Sequence, residues 1–372
     1  MDIPLDELRK LYKKVYQDKC KKYPDMEEKN VLPAVSRIVA IGDLHGDLTE
    51  TINILKLAKV ISYNNTTKKA TWIGGDTVVV QVGDQIDRCR SLPCNQMSPH
   101  EDENSDIKIL KLLTDLHSQA ILKGGAFYSL VGNHELMNVT GRMEYVSPAN
   151  YDRFEQKKEN KEFLGKKNLK GIAARKDAFK PGNPIAEFLA CTRKLILKIG
   201  KSVFVHAGIV PEITQKYSNI GDMNKIMSLY LWNKLDRPEM YQDVLGSDVV
   251  KGQTFIDRNE MCNNKSCYEI SPLWTRKIGY LQDSNKECSK IFDALLDAYG
   301  GERMIVGHTP QLTVGINSIC NDRLFFVDYA ASSAFDVADI NVMSRGERSV
   351  SRNTQFLEII NDNTVRIVKD ED

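Results

Sequence analysis

Apolar positions along the chain follow two periods, and the switches between them mark out the elements. Leu5, Leu8, Leu11, Val15 and Tyr16 recur at helical spacing and predict a helix over residues 5–22. Pro24 and Pro33 then break the chain between this helix and the first strand. Residues 36–42 are a continuous apolar run, the pattern of a buried strand, and a helix is predicted over 48–60. Residues 70–73 and 77–83 read as two strands joined at Gly74-Gly75-Asp76. Ile109, Leu110, Leu113, Leu116 and Ala120 share one face of a strongly amphipathic helix, and "AFYSLV" behind it is a strand. Helices are then predicted over 185–195, 222–235 and 287–299. Strands are predicted at "LILKIG", "KSVFVH", "RMIV", "RLFFVD", "TQFLEII" and "TVRIVK". Three stretches break the pattern, near 89–106, 150–180 and 236–272, and are expected as insertions. The acidic "HEDENSD" and the Lys-rich 155–180 read as solvated faces.

Strands and helices alternate early and strands crowd the later half. That order favours one α/β domain over 36–372 with a mixed sheet or two packed sheets, preceded by a helical extension over 1–35. Composition narrows the reading. Fifty-one Lys and Arg against 50 Asp and Glu leave a net charge of +1, which points away from nucleic-acid and membrane-surface binding. The N-terminal stretch lacks an apolar signal core, and no run of about 18 apolar residues appears. Eight cysteines in 372 residues are too sparse for a disulfide scaffold. A soluble, intracellular or cytoplasmic chain with free thiols as the default is expected; for the pairs Cys89/Cys94 and Cys262/Cys267 a structural zinc site and a redox disulfide are the alternatives.

The chemistry gathers at the ends of strands. "VAIGDLHGD" carries Asp43 and His45, and "VVQVGDQIDR" carries Asp84, Asp87 and Arg88. "YSLVGNHE" carries Asn133 and His134, "SVFVHAG" His206, and "RMIVGHTP" His308. Taken singly, each is a turn, a helix cap or a packed histidine. Together they bring four of the chain's six histidines to five strand exits, where α/β proteins place ligands. Carboxylate, amide and imidazole donors without thiolate suit Mn, Fe or Zn. Two such ions about 3.5–4 Å apart are the usual device for attacking a phosphate ester. Arg88 offers a planar fork for two phosphate oxygens. Asp47 opens the helix from residue 48 and reads as a cap or a loop holder. No cysteine-based phosphatase loop is present, because the sixth position after Cys89 is Asn95.

"GDLHGD", "GDQIDR", "GNHE", "VHAG" and "VGHT" resemble the metallophosphoesterase superfamily, and within it the phosphoprotein phosphatases. "NHELMNVTGRMEYVS" and "SPLWTR" followed by "VGHTPQ" resemble the Shewanella-like branch. The resemblance implies a calcineurin-like α/β sandwich of two mixed β-sheets flanked by helices, with two divalent or trivalent ions at one edge. It implies Asp43 and His45 on the first metal, Asp84 bridging, and Asn133, His206 and His308 on the second. His134 would protonate the leaving alkoxide, oriented by Asp87. Arg88 and Arg276 would clamp the phosphate, beside Asn133. The activity implied is hydrolysis of phosphoserine or phosphothreonine, or phosphotyrosine, on protein substrates by metal-bound hydroxide. Hydrolysis of small phosphoesters such as dinucleoside polyphosphates, and an inactive metal-containing binding module, are the alternatives. The sequence departs from the family at Cys89, where most members have glycine, and a positive φ there would be costly for cysteine. The Ser-Ala-Pro-Asn-Tyr signature of toxin-sensitive members is replaced by "VDYAASSAF".

Overall fold

The computed structural model describes residues 4–26, 28–90, 94, 102–152, 154, 162–163, 169–249 and 270–370. Two six-stranded sheets pack face to face. The first runs β1 (Val31–Leu32), β8 (Ile196–Ile199), β9 (Ser202–Val205), β10 (Arg303–Val306), β12 (Leu324–Phe326), β11 (Asn317–Ile319). The second runs β14 (Thr364–Lys369), β13 (Gln355–Ile360), β2 (Arg37–Ile41), β5 (Val78–Gln81), β6 (Ala126–Leu130), β7 (Arg193–Lys194). Both sheets are mixed: β2, β5, β6 and β7 are parallel while β13 runs against β2 and β14 against β13. This is the expected sandwich of two mixed sheets.

The alternation of side chains along a strand builds the layers. Phe204 on β9 and Ile305 on β10 face the second sheet, joining Val39, Val79 and Leu357 in one core. Their neighbours Val203, Val205, Met304 and Val306 face outward and are covered by helices Pro184–Thr192, Ile220–Leu231 and Asn285–Tyr299. The second sheet is covered by helices Leu48–Leu57 and Asp106–Ile121.

Several expectations need correction. The first helix spans Leu5–Lys19, and its buried stripe is Leu8, Tyr12 and Val15, with Leu5 exposed. It belongs to the same core as helix Ile220–Leu231, so it is bound into the body of the domain. The strands expected at 70–73 and 77–83 are present as β4 (Lys69–Trp72) and β5, in different sheets: β4 pairs with β3 (Ile61–Asn64) in a separate ribbon, and β5 joins the main sheet. The acidic stretch is not a solvated face. Asp102 accepts from Ser147 and Ala149, Glu103 from the amide of Leu48, and Asp106 pairs with Arg175 at 2.7 Å.

Free thiols are also overturned. Disulfides join Cys20 to Cys191, Cys89 to Cys94 and Cys288 to Cys320. The first spans 171 residues and only the fold brings its ends together, so spacing could not reveal it. Cys262 and Cys267 lie outside the described residues. No helix among those described is long and apolar enough to cross a membrane.

Candidate active site

The loops after β2, β5, β6, β9 and β10 all emerge at one rim of the sandwich, three from one sheet and two from the other. The backbone there is held in unusual conformations. His45 (φ 41°), Asp84 (φ 55°), Asp87 (φ 72°) and His308 (φ 67°) all lie in the left-handed region. Such residues cost on the order of 1–3 kcal/mol each and persist only where the surroundings over-determine them. Cys89 is not among them, so the departure from glycine carries no strain.

What over-determines them is a set of buried carboxylates. Glu135 accepts from the amides of Asp84, Gln85, Ile86 and Gly132, stitching the loop after β5 to helix Asn133–Val139. Asp84 Oδ1 accepts the amide of His134 at 2.9 Å, and Asp43 Oδ2 that of His308 at 3.0 Å. Two glycines make this approach possible. A Cβ on Gly132 would lie 2.1 Å from Asp84 Oδ1, and one on Gly307 would lie 2.1 Å from Asp43 Oδ1.

Six of the expected ligands converge. His45, Asp84 and His134 form one cluster with ligand atoms within 4.8 Å of one another; Asp84, His206 and His308 form a second. Asp84 is common to both, the position a bridging carboxylate requires. His206 Nε2 lies 3.4 Å from Asp84 Oδ2, and His45 Nε2 lies 3.8 Å from both Asp84 Oδ2 and Asp43 Oδ2. Asn133 Oδ1 faces His206 Nε2 at 2.9 Å and His308 Nδ1 at 2.8 Å. Asp43 Oδ1 is buried with no hydrogen-bond partner among the described residues. Burial, with Asp328 and Asp84 nearby, pushes the Asp43 carboxyl well above its usual range. Burial acts the same way on Asp84, but His206 and His134 hold it well below. Crowded buried carboxylates with an unpaired oxygen, ringed by imidazoles and one amide, are a donor set that fits cations of the Mn, Fe or Zn type.

Beside the clusters, His134 Nδ1 is 2.9 Å from Asp87 Oδ2. Asp87 is in turn fixed by Asn138 Nδ2, at 2.9 and 3.0 Å, and by Arg175 at 3.5 Å. His134 Nε2 lies 3.9 Å from Asp84 Oδ2. The Tyr145 ring packs edge-on against it at 5.0 Å.

Two expected arginines sit differently from one another. Arg276 is exposed and donates to His308 O at 2.6 Å and Thr309 Oγ1 at 3.1 Å, which keeps it next to the second cluster. Arg88 is 4% exposed and turned away from the clusters. Its Nη1 lies 3.1 Å from Asp47 Oδ2 and donates to Gly46 O, and its Nη2 donates to Ser333 at 2.7 Å. These acceptors engage the fork expected to clamp phosphate and tie it to the loop after β2. Asp47 does what its place at a helix start suggests: Oδ1 accepts from the Glu50 amide, while Oδ2 accepts from Ser333.

Glu135, Asn138, Arg175, Arg90 and Asp328 were missed. Asn138 follows His134 by four residues and so lies under it on the helix, a spacing that could have revealed it. Arg175 sits on helix Gly171–Phe179, in the stretch read as solvated, and is fully buried.

With this geometry in view, the profile of the calcineurin-like phosphoesterases matches residues 36–312. The chain belongs to that family. Shewanella-like protein phosphatase 2 of Arabidopsis thaliana is 29% identical over 360 residues, covering 89% of this chain and 77% of that protein. The uncharacterized protein R398 of Acanthamoeba polyphaga mimivirus is 30% identical over 275 residues, 68% of this chain and 96% of that one. The solved structure of a cold-active protein tyrosine phosphatase superposes with a TM-score of 0.56 at 18% identity, covering 92% of this chain and 81% of that one, which shows the shared fold.

Proposed function

We propose that the chain is a dimetal-dependent phosphatase acting on phosphorylated proteins. The observation that carries it is Asp84 shared between two histidine clusters, with the His134–Asp87 pair beside them. Asp43, His45 and Asp84 would hold one ion; Asp84, Asn133, His206 and His308 the other. When bound, the ions would acidify an attacking water and draw charge from the phosphoryl oxygens.

The chain's own residues do the rest. Asp87 accepts from His134 Nδ1 and fixes the ring so that Nε2 carries a proton toward the leaving group. A serine or threonine alkoxide is strongly basic, and a proton delivered as its bond breaks is typically worth roughly 100- to 10,000-fold. Asn138 and Arg175 keep Asp87 in place from behind. Asn133, among the second ion's ligands, and Arg276, beside them, would contact the phosphate. Phosphorylated protein substrates are favoured because the chain aligns with a relative named as a protein phosphatase over 89% of its own length.

The test is turnover on a panel of phosphoserine, phosphothreonine and phosphotyrosine peptides against a dinucleoside polyphosphate, with Mn, Fe or Zn added singly. Peptide turnover that requires metal is expected. Cleavage confined to the dinucleotide would move the substrate class, and no cleavage of either would leave only metal binding.

A further inference from the structure

Arg88 is engaged by Gly46 O, Asp47, Glu103 and Ser333, which leaves Arg276, beside the second cluster, as the one guanidinium so far assigned to a dianionic phosphoryl group. Two residues on from Arg88, Arg90 lies beside the first cluster. Its Nη2 contacts His45 Nδ1, and its Nη1 is 3.4 Å from His134 Nε2, the nitrogen aimed at the leaving group. Its guanidinium rests over the rings of Tyr145 at 5.4 Å and Phe335 at 5.1 Å. Its neighbour Cys89 is joined to Cys94 by a disulfide.

Among the described residues the one carbonyl acceptor of Arg90 is Cys89 O, 3.5 Å from Nη1. Arginine has five N–H donors and no acceptor. His45 Nδ1 also faces Ile86 O at 3.3 Å, so Arg90 shares that nitrogen with another partner. Arg90 Nε is buried with no hydrogen-bond partner among the described residues. An acceptor-rich tetrahedral anion bound against His45 and His134 would take up these donors, and the two aromatic rings fix the plane from which they point.

We propose that Arg90, positioned by the Cys89–Cys94 disulfide, grips the substrate's phosphoryl oxygens in the place that the motif would give to Arg88. This inference rests on the phosphatase reading, so its test includes a readout that needs no turnover. Titration calorimetry with inorganic phosphate, on metal-loaded wild type, Arg90→Ala, Arg90→Lys and Arg88→Lys, measures the grip directly. Elemental analysis and thermal melting accompany it. Arg90→Ala is expected to weaken phosphate by roughly 10- to 100-fold, the range for hydrogen bonds to a charged group, with metal content and melting temperature held. Arg90→Lys should recover only part of it, since an ammonium cannot present a fork. Arg88→Lys should lower the melting temperature with little change in phosphate affinity. A Cys89→Ser/Cys94→Ser variant should weaken phosphate by less than Arg90→Ala does.

Wild-type phosphate affinity in Arg90→Ala, or loss of metal from it, would overturn the proposal. Wild-type affinity in the cysteine variant would overturn the disulfide's part in it. In parallel phosphopeptide assays, Arg90→Ala should raise KM more than it lowers kcat. A wild type that binds phosphate but cleaves no phosphopeptide would instead count against the phosphatase reading, with the calorimetric comparison still deciding Arg90.

Discussion

The two rims of the sandwich use the same unusual backbone for different ends. At the rim opposite the site, Asn361 (φ 51°) and Asp362 (φ 59°) turn β13 into β14, and Cys320, Asn321 and Asp322 (φ 61°, 55° and 57°) turn β11 into β12. Tight hairpins call for that conformation, and Asn and Asp tolerate it best. Asp362 then accepts the Lys201 amide, and its carbonyl accepts from Arg303, tying one sheet to the other. At the site's rim, His45, Asp84, Asp87 and His308 adopt similar angles in loops that make no hairpin. Their strain is offset by carboxylate-to-amide bonds converging from Glu135, Asp43 and Asp84. One rim is explained by local turn chemistry. The other is explained only by what its side chains must face.

The difference can be broken in order of size. Asp84→Asn should remove metal and turnover together, because both clusters depend on that carboxylate; elemental analysis beside a phosphopeptide assay reads both, and unchanged turnover would reduce the upper rim to an ordinary turn. His134→Asn should retain metal while turnover falls roughly 100- to 10,000-fold on phosphopeptides and less on aryl phosphates, whose leaving groups need no proton. Equal losses on both would remove the acid role.

The lower rim should respond in stability alone. Glu358 is opposed by burial, yet Arg37, at 2.6 Å, and Arg366 hold its carboxyl below the ordinary value of 4.5. A lowered folded pKa contributes stability that is present above the unfolded value and is lost as pH falls through the folded one. Glu358→Gln should therefore cost about 1.5 kcal/mol near neutrality and flatten the acid limb of a denaturation profile below about pH 4.5, with KM unmoved. Smallest of all, Asn361→Gly should shift stability by no more than about 0.5 kcal/mol, since glycine accepts the same φ. A loss of turnover from either lower-rim change would mean the rims are coupled and the contrast is false.

Much of this was legible in the chain. Continuous apolar runs marked β2, β5 and β6, and helix Asp106–Ile121 kept the stripe that its periodicity announced. Residues at strand exits were legible because their positions and types repeat: Asp43, Asp84 and His308 follow glycines at the ends of apolar runs. What escaped depends on the third dimension. Cys20 meets Cys191 only because the first helix folds onto the helices beside it. Arg175 reads as one cation in a basic stretch until its helix places it beneath Asp87. Arg88 and Arg90 are both arginines after one strand, and only the buried acceptors around Asp47 show that the first is already occupied.

The central claim is that the upper rim is strained in order to hold metal for phosphoester hydrolysis. Its most direct measurement is phosphopeptide turnover by the full chain, stripped with a chelator and then titrated with Mn, Fe or Zn. Turnover that vanishes on stripping and returns with metal is the predicted result. Turnover that survives complete removal of metal, confirmed by elemental analysis, would contradict it.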